Sequence, residues 1–219
     1  MNRDSEHLKK LAIQLSCPQN EEGIEVANMM HDSNIGMTRK TITALNIAKG
    51  DLILELGHGN CKHLSEILTG AENISYYGLE ISELMKNEAA ENNIAAIQGN
   101  QASFHLYDGK KIPFSENTFD KILTVNTIYF WENPEAFIQE IYRVLKPNGL
   151  FAIGFADKNF METLPFTSYG FNLYHKEKLN SLIGTTRFDM VDTYSFTETV
   201  KTKVGDEVER LFYVSLVQK

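Results

Sequence analysis

A glycine pair and three carboxylates are the residues in this chain best placed to do chemistry. Glu55-Leu56-Gly57-His58-Gly59-Asn60 follows the apolar run Leu52-Ile53-Leu54, and a second apolar run ends at Glu80. A strand that stops at two glycines spaced two apart, ahead of a helix, makes a turn on which a ligand can lie against bare backbone. Glu80 comes 23 residues after Gly57, the place where an acid ending the next strand takes the two hydroxyls of a ribose. A third acid, Asp108, closes a third run and precedes Gly109. A carboxylate there accepts from an adenine amino group, while the glycine N–H donates to the ring.

The residue types narrow the nucleoside. The dinucleotide fingerprint needs a small residue at the sixth position of its glycine motif, where it lets helix and strand pack closely; here that position is Lys62. Glu55, just before the turn, opposes a pyrophosphate and suits a cationic amine. No Gly-Lys-Ser/Thr stands in the chain, which argues against a nucleoside triphosphate. An amine partner, a ribose partner and an adenine partner at the ends of three strands describe S-adenosylmethionine rather than a phosphate-bearing cofactor.

These groups need a scaffold that aligns strand ends. Strands are expected at residues 52–56, 74–80, 103–107, 119–126, 150–155, 189–197 and 210–217, with a turn at 204–209. Helices are expected at 7–15, 38–47, 61–68, 134–145 and 175–183, and one long helix from the Ser82 cap to Gly99. Residues 23–34 read as an amphipathic or loop segment. Residues 157–174 read as a long, aromatic, irregular stretch. Alternating strands and helices give a parallel sheet covered on both faces. The last two strands are joined too tightly for a helical crossover and must pair antiparallel. The fold class is therefore α/β: a three-layer sandwich around a Rossmann-like, mostly parallel sheet of about seven strands, with one antiparallel strand near the C-terminus. Two parts are expected, a helical cap at 1–36 and a cofactor-binding domain at 37–219.

Composition agrees with that scale. The chain has 219 residues, 42% hydrophobic and 23% charged, with a net charge of −8. A chain this long buries roughly 70% of its unfolded surface and needs no staples. Its two cysteines, Cys17 and Cys61, suggest no disulfide framework. The acidic balance and the lack of a basic stripe argue against nucleic acid. No run reaches the length of a membrane span, and no signal peptide is read at the N-terminus. A cytoplasmic monomer or homodimer is expected.

Residues 38–155 resemble the class I S-adenosylmethionine-dependent methyltransferases, in the branch similar to the ubiquinone/menaquinone-biosynthesis and small-molecule enzymes. Glu55 to Asn60 looks like the first motif, Gly78-Leu79-Glu80-Ile81-Ser82 the second, Asp108 through Asp120 the third. Ile141 to Gly149 looks like the segment before the fifth strand. The resemblance implies that Glu55 orients the methionyl ammonium. Gly57 and Gly59 present backbone, with His58 between them in the same contact segment. Glu80 takes the ribose, Ile81 and Met85 pack on the adenine, and Asp108 and Gly109 read its edge. Asn126 offers its carbonyl near the sulfonium and the acceptor. Cys61 replaces the usual third glycine and is expected to narrow the space near the methionyl part.

The implied reaction is methyl transfer to a small-molecule acceptor by in-line displacement, yielding S-adenosylhomocysteine and catalysed mainly by positioning. No Asn/Asp-Pro-Pro-aromatic pattern follows the fourth strand. Tyr129 and Trp131 are candidates to wall an apolar or aromatic acceptor, or to pack the strand–helix junction. Residues 157–174 are read as acceptor pocket or lid, with core packing as the competitor. Tyr129, His31 and His175 are the candidate catalytic residues. His58, Cys61 and His63 lie within six residues, but a turn entering a helix is not expected to converge them, and no metal is expected. His7 and His63 read as exposed helix positions. The alternatives are a non-catalytic cofactor-binding module, suggested by Cys61, and a nicotinamide-dependent oxidoreductase, disfavoured by Lys62 and Glu55.

Overall fold

The computed structural model describes residues 3–201 and 207–219. A seven-stranded sheet runs in the order β3-β2-β1-β4-β5-β7-β6. Its strands are β1 (Leu52–Leu56), β2 (Ser75–Glu80), β3 (Ala102–Leu106), β4 (Phe119–Val125), β5 (Leu145–Ala156), β6 (Asp189–Lys201) and β7 (Glu207–Gln218). The first five are parallel; β7 is antiparallel to both β5 and β6. Of the turn expected at 204–209, residues 204–206 lie outside the described residues, and 207–209 belong to β7.

Strand side chains alternate between two cores, as the two-residue period of a strand requires. Leu54 and Leu56 of β1 and Phe151, Ile153 and Phe155 of β5 enter one core, which also takes α6 (Pro134–Val144) and α8 (Lys176–Gly184). Ile53 and Ala152 enter the other, with α3 (Leu64–Leu68) and Ala89 of α4 (Glu83–Asn92). Both faces are thus covered, as a parallel sheet demands. Among the described residues no helix is long and apolar enough to cross a membrane.

Several boundaries differ from the sequence expectation. After α1 (Arg3–Ser16), the segments expected at 23–34 and 38–47 merge into a single helix, α2 (Asn20–Ala44), which runs straight through the expected division at residue 36 and ends before Leu45. Gly36 does not break it, because Arg210 of β7 ties its flank to the sheet: the guanidinium donates to Ser33 O at 2.6 Å, Asn34 Oδ1 at 2.9 Å and Glu198 Oε1 at 2.6 Å. A Cβ at Gly36 would collide with that Glu198 carboxylate, so glycine lets β6 approach. Farther along, Thr41 packs on Gly154 of β5, where a Cβ would strike its hydroxyl.

The long helix expected from Ser82 to Gly99 is two helices, α4 and α5 (Ile94–Gln98). Asn93 breaks it: its side-chain amide donates to Ala89 O at 2.8 Å and to Cys61 O at 3.0 Å, offering the backbone an alternative to the helix. The helix expected at 61–68 starts only at Leu64. Pro147-Asn148-Gly149 lies inside β5 rather than before it, at a register shift opposite Phe119 and Lys121. The aromatic stretch contains a short helix, α7 (Lys158–Glu162), and a 3-10 turn at Pro165–Ser168.

Candidate functional site

The strand register sets the site. Leu56 pairs with Leu79, and Gly57 N–H continues the ladder to Leu79 O at 2.8 Å. The glycine turn therefore emerges beside Glu80. Gly57 has φ +73° and Gly59 φ +58°, the left-handed region that glycine enters freely. A Cβ on Gly57 would collide with the Thr127 methyl; one on Gly59 would project into open space. The first glycine closes the turn on β4, and the second leaves bare backbone facing the cavity.

Glu80 is buried and held on three sides. Its Oε2 accepts from Gly59 N–H at 3.0 Å, and its Oε1 from Ile81 N–H at 2.7 Å and Ser82 N–H at 3.1 Å. Ser82 caps α4 by accepting from Met85 N–H at 3.2 Å, and donates to Pro18 O at 2.5 Å. That second bond draws the α1–α2 connection over the strand ends.

The result is a cavity of about 140 Å³ at the carboxyl edge of the sheet. Its floor is Gly57, Gly59 and Glu80. One wall is Ile81, Met85, Tyr107 and Gly109, and the other is Asn126, Thr127, Phe130 and Trp131. Leu15, Ser16, Pro18 and Met30 close it from the N-terminal side. Among the described lining residues Glu80 is the only charged one. A cavity with a carboxylate and no cation disfavours a phosphate group and suits a cationic nucleoside.

Seven of the ten expected cofactor residues line this cavity: Gly57, Gly59, Glu80, Ile81, Met85, Gly109 and Asn126. Asp108 does not. It is exposed, and its Oδ1 accepts from Lys110 N–H and Lys111 N–H, both at 2.8 Å, which shapes the loop that delivers Gly109. These two backbone bonds hold its carboxyl below the usual range. His58 turns away onto the sheet, its ring packed on Gly78 and edge-on to Phe104 at 5.1 Å. Its Nδ1 lies 2.7 Å from Gly59 O. A carbonyl only accepts, so Nδ1 carries the proton, and Nε2 is buried without a partner. Burial lowers the pKa of this imidazole, keeping it neutral.

Glu55 also faces away from the cavity. It is 2% exposed, with its carboxylate 2.9 Å from His63 Nε2 and accepting from the Tyr76 hydroxyl at 2.7 Å. It supports the glycine turn from beneath, because both oxygens are engaged there rather than offered to a methionyl ammonium. His63, expected on an exposed helix face, is 6% exposed, since α3 starts after it and leaves it on the turn. Burial works against the charged forms of both groups. Their mutual attraction prevails, raising the His63 pKa and lowering that of Glu55, with the Tyr76 hydrogen bond helping the latter. Cys61, expected to narrow the cavity, points into the core, its Sγ 3.2 Å from the Tyr76 hydroxyl. Its φ of +47° lets the turn take the shape a third glycine would give. His58, Cys61 and His63 do not form one group; Cys61 and His63 instead meet Glu55, the three ligand atoms lying within 4.8 Å of one another.

A second cavity, of about 190 Å³, shares Leu15, Met30, Asn126 and Phe130 with the first. Phe160, Met161, Leu164, Phe166 and Phe171 of the aromatic stretch line it, with Tyr129 and Ala156 at its base. Asn126, at φ +57°, stands between the cavities. Its Oδ1 accepts from the Tyr129 hydroxyl at 3.0 Å and from Ala156 N–H at 3.3 Å. A backbone N–H only donates, so the amide oxygen faces it and Nδ2 points elsewhere. Trp131 lines the first cavity, not the second, and donates from Nε1 to Thr127 Oγ1 at 3.2 Å. His31 and His175 line neither cavity. His31 stacks beside His63, and burial lowers its pKa. His175 lies 3.3 Å from Asp157 Oδ2 at the start of α8. Tyr107, Thr127 and Phe130 were missed from sequence, and the cap expected at 1–36 carried no sign of which of its residues would line the cavity. An alternating pattern marks where a strand ends but carries no sign of which distant segment folds over it.

A Rossmann-like sheet with a glycine turn and a buried acid at adjacent strand ends is the arrangement of a nucleoside-binding α/β domain. A family profile described as "Methyltransferase domain" matches residues 54–153. The chain is 31% identical over 129 residues to the "Uncharacterized methyltransferase YdaC" of Bacillus subtilis, covering 57% of this chain and 67% of that protein. It is 27% identical to the "O-methyltransferase resE" of Aspergillus sclerotiorum, over 62% of this chain and 49% of that one. Several other curated relatives are likewise matched over less than half their length. A solved S-adenosylmethionine-dependent methyltransferase from Aquifex aeolicus superposes with a TM-score of 0.64 at 17% identity, covering 99% of both chains. The chain belongs to the class I S-adenosylmethionine-dependent methyltransferases, and its cofactor is S-adenosylmethionine.

Proposed function

We propose that this methyltransferase acts on a small, largely apolar acceptor seated in the second cavity, with the cofactor in the first. The carrying observation is the shared wall of Leu15, Met30, Asn126 and Phe130, which makes the two cavities neighbours at the end of β4. When bound, S-adenosylmethionine supplies a methyl group activated by a cationic sulfur. The protein's task is then alignment, with reacting atoms about 3–3.5 Å apart.

In this reading Glu80, its own orientation set by three backbone N–H groups, binds the ribose hydroxyls. Ile81, Met85 and Tyr107 pack the adenine, and Gly109 donates to its edge. Gly57 and Gly59 let the methionyl part lie on backbone. Residues 3–36 form the cap that excludes water, held down by Ser82 on Pro18. Asn126, fixed by Tyr129 and Ala156, positions the acceptor atom with its free amide N–H.

Among the described residues of the second cavity the ionisable groups are Tyr129 and Arg210. Burial, foremost, raises the Tyr129 pKa, and Arg210 is committed to Glu198 and α2. Neither accepts a proton near neutrality. The acceptor therefore arrives with its lone pair free, as an ionised oxygen or sulfur, an unprotonated nitrogen or a stabilised carbanion. The test is transfer of labelled methyl from S-adenosylmethionine to a panel of apolar phenols, thiols and amines. A Phe171→Ala variant should raise KM for the accepted compound and leave S-adenosylhomocysteine affinity unchanged. An equal effect of that substitution on cofactor and acceptor would refute the division of the cavities.

A further inference from the structure

Beneath the glycine turn, away from both cavities, lies a cluster that the methyl-transfer reading does not use. Glu55, Cys61 and His63 are all buried, and their ligand atoms fall within 4.8 Å of one another. We infer that this cluster is a binding site for a zinc-class divalent cation, held by Glu55, Cys61 and His63 and closed on its fourth side by the Tyr76 hydroxyl.

The geometry is close to what such an ion requires. His63 Nε2 is 2.9 Å from Glu55 Oε2, the Tyr76 hydroxyl is 2.7 Å from that same oxygen, and Cys61 Sγ is 3.2 Å from the hydroxyl. Tetrahedral zinc, with bonds of about 2.0–2.3 Å, sets its donor atoms about 3.3–3.6 Å apart. These three contacts would each open by less than about 1 Å, and Cys61 Sγ, within 4.8 Å of the Glu55 and His63 ligand atoms, would close on them by at most about 1.5 Å. The donor types agree. A thiolate, an imidazole and a carboxylate are a zinc set, and sulfur argues against magnesium or calcium. A thiolate and a carboxylate bring two negative charges against a divalent ion, so the ion would be buried with no net charge. Binding would send the Cys61 thiol proton, and the second ring proton of His63 where present, to solvent.

The surroundings hold the ligands in place, as the outer contacts of metal sites do. Asn93 Nδ2 donates to Cys61 O at 3.0 Å, and Asn92 Nδ2 donates to Asn60 O at 3.0 Å. Cys61 is kept at a left-handed φ of +47° that aims its sulfur inward. Because none of the four residues lines either cavity, the ion's part would be to fix the turn that carries Gly57 and Gly59.

The experiment is titration of cobalt(II) into the reduced full chain, followed by zinc. One equivalent should give a sulfur-to-cobalt charge-transfer band that zinc bleaches. The band should persist in Cys17→Ser and vanish in Cys61→Ser and in His63→Gln. X-ray absorption on the zinc-loaded wild type should show a single sulfur among nitrogen and oxygen neighbours, and it decides the matter alone if either site variant fails to fold. No band, a band that survives Cys61→Ser, or a zinc shell without sulfur would overturn the assignment.

Discussion

Replacing Glu80 with alanine separates a ribose-binding carboxylate from one that merely braces the turn. Its two oxygens already accept from the N–H groups of Gly59, Ile81 and Ser82, and the residue lines the cofactor cavity. A hydrogen bond to a charged acceptor contributes about 1.5–3 kcal/mol. Loss of two such bonds, partly replaced by water in an open cavity, should cost about 2–4 kcal/mol. At about 1.4 kcal/mol per decade, S-adenosylhomocysteine affinity should fall roughly 30- to 1000-fold. Calorimetry reads this directly, and a ligand lacking the ribose 2′-hydroxyl completes a double-mutant cycle. The deoxy ligand should bind the wild type more weakly, while Glu80→Ala should be nearly indifferent to the missing hydroxyl. Unchanged affinity in Glu80→Ala would refute the assignment. So would a deoxy penalty of the same size in both proteins, which would mean that Glu80 acts only through the turn.

Gly57→Ala should lose about 1–2 kcal/mol to the left-handed backbone alone, and more to the Thr127 methyl. Thermal unfolding should show a loss that Thr127→Ser partly restores. Ser82→Ala removes the α4 cap, worth about 1 kcal/mol, and frees Pro18; a lower Tm with several-fold weaker S-adenosylhomocysteine binding is expected in calorimetry. Tyr129→Phe strips Asn126 of a fixing bond at the cavity boundary. It should lower kcat while cofactor affinity stays within about two-fold, because the residue does not line the first cavity.

Much of the sheet was legible because its signals are local. Alternating or continuous apolar runs mark the strands, and Gly57, Gly59 and Glu80, read from strand ends, line the first cavity. The tight link between the last two strands dictated their antiparallel pairing. What escaped was set by contacts distant in sequence. The division expected after residue 36 falls inside α2, where Arg210 and Glu198 make Gly36 a close-approach point. Asn93 reads as mid-helix, yet its amide finds Cys61 O and ends α4. At the site, Glu55 and Cys61 belong to the right motif but face the core. The turn rotates them away from the ligand side, and Tyr76 and His63 receive them there. A motif names which residues form a turn; only the packing beneath it decides which of them face the ligand.

The most direct test is calorimetric titration of the full chain with S-adenosylhomocysteine and, separately, with a nicotinamide dinucleotide. The cavity's Glu80 carboxylate and bare glycine backbone predict micromolar, one-to-one binding of S-adenosylhomocysteine and no heat from the dinucleotide. Binding of the dinucleotide, or silence with S-adenosylhomocysteine from folded protein, would contradict the account.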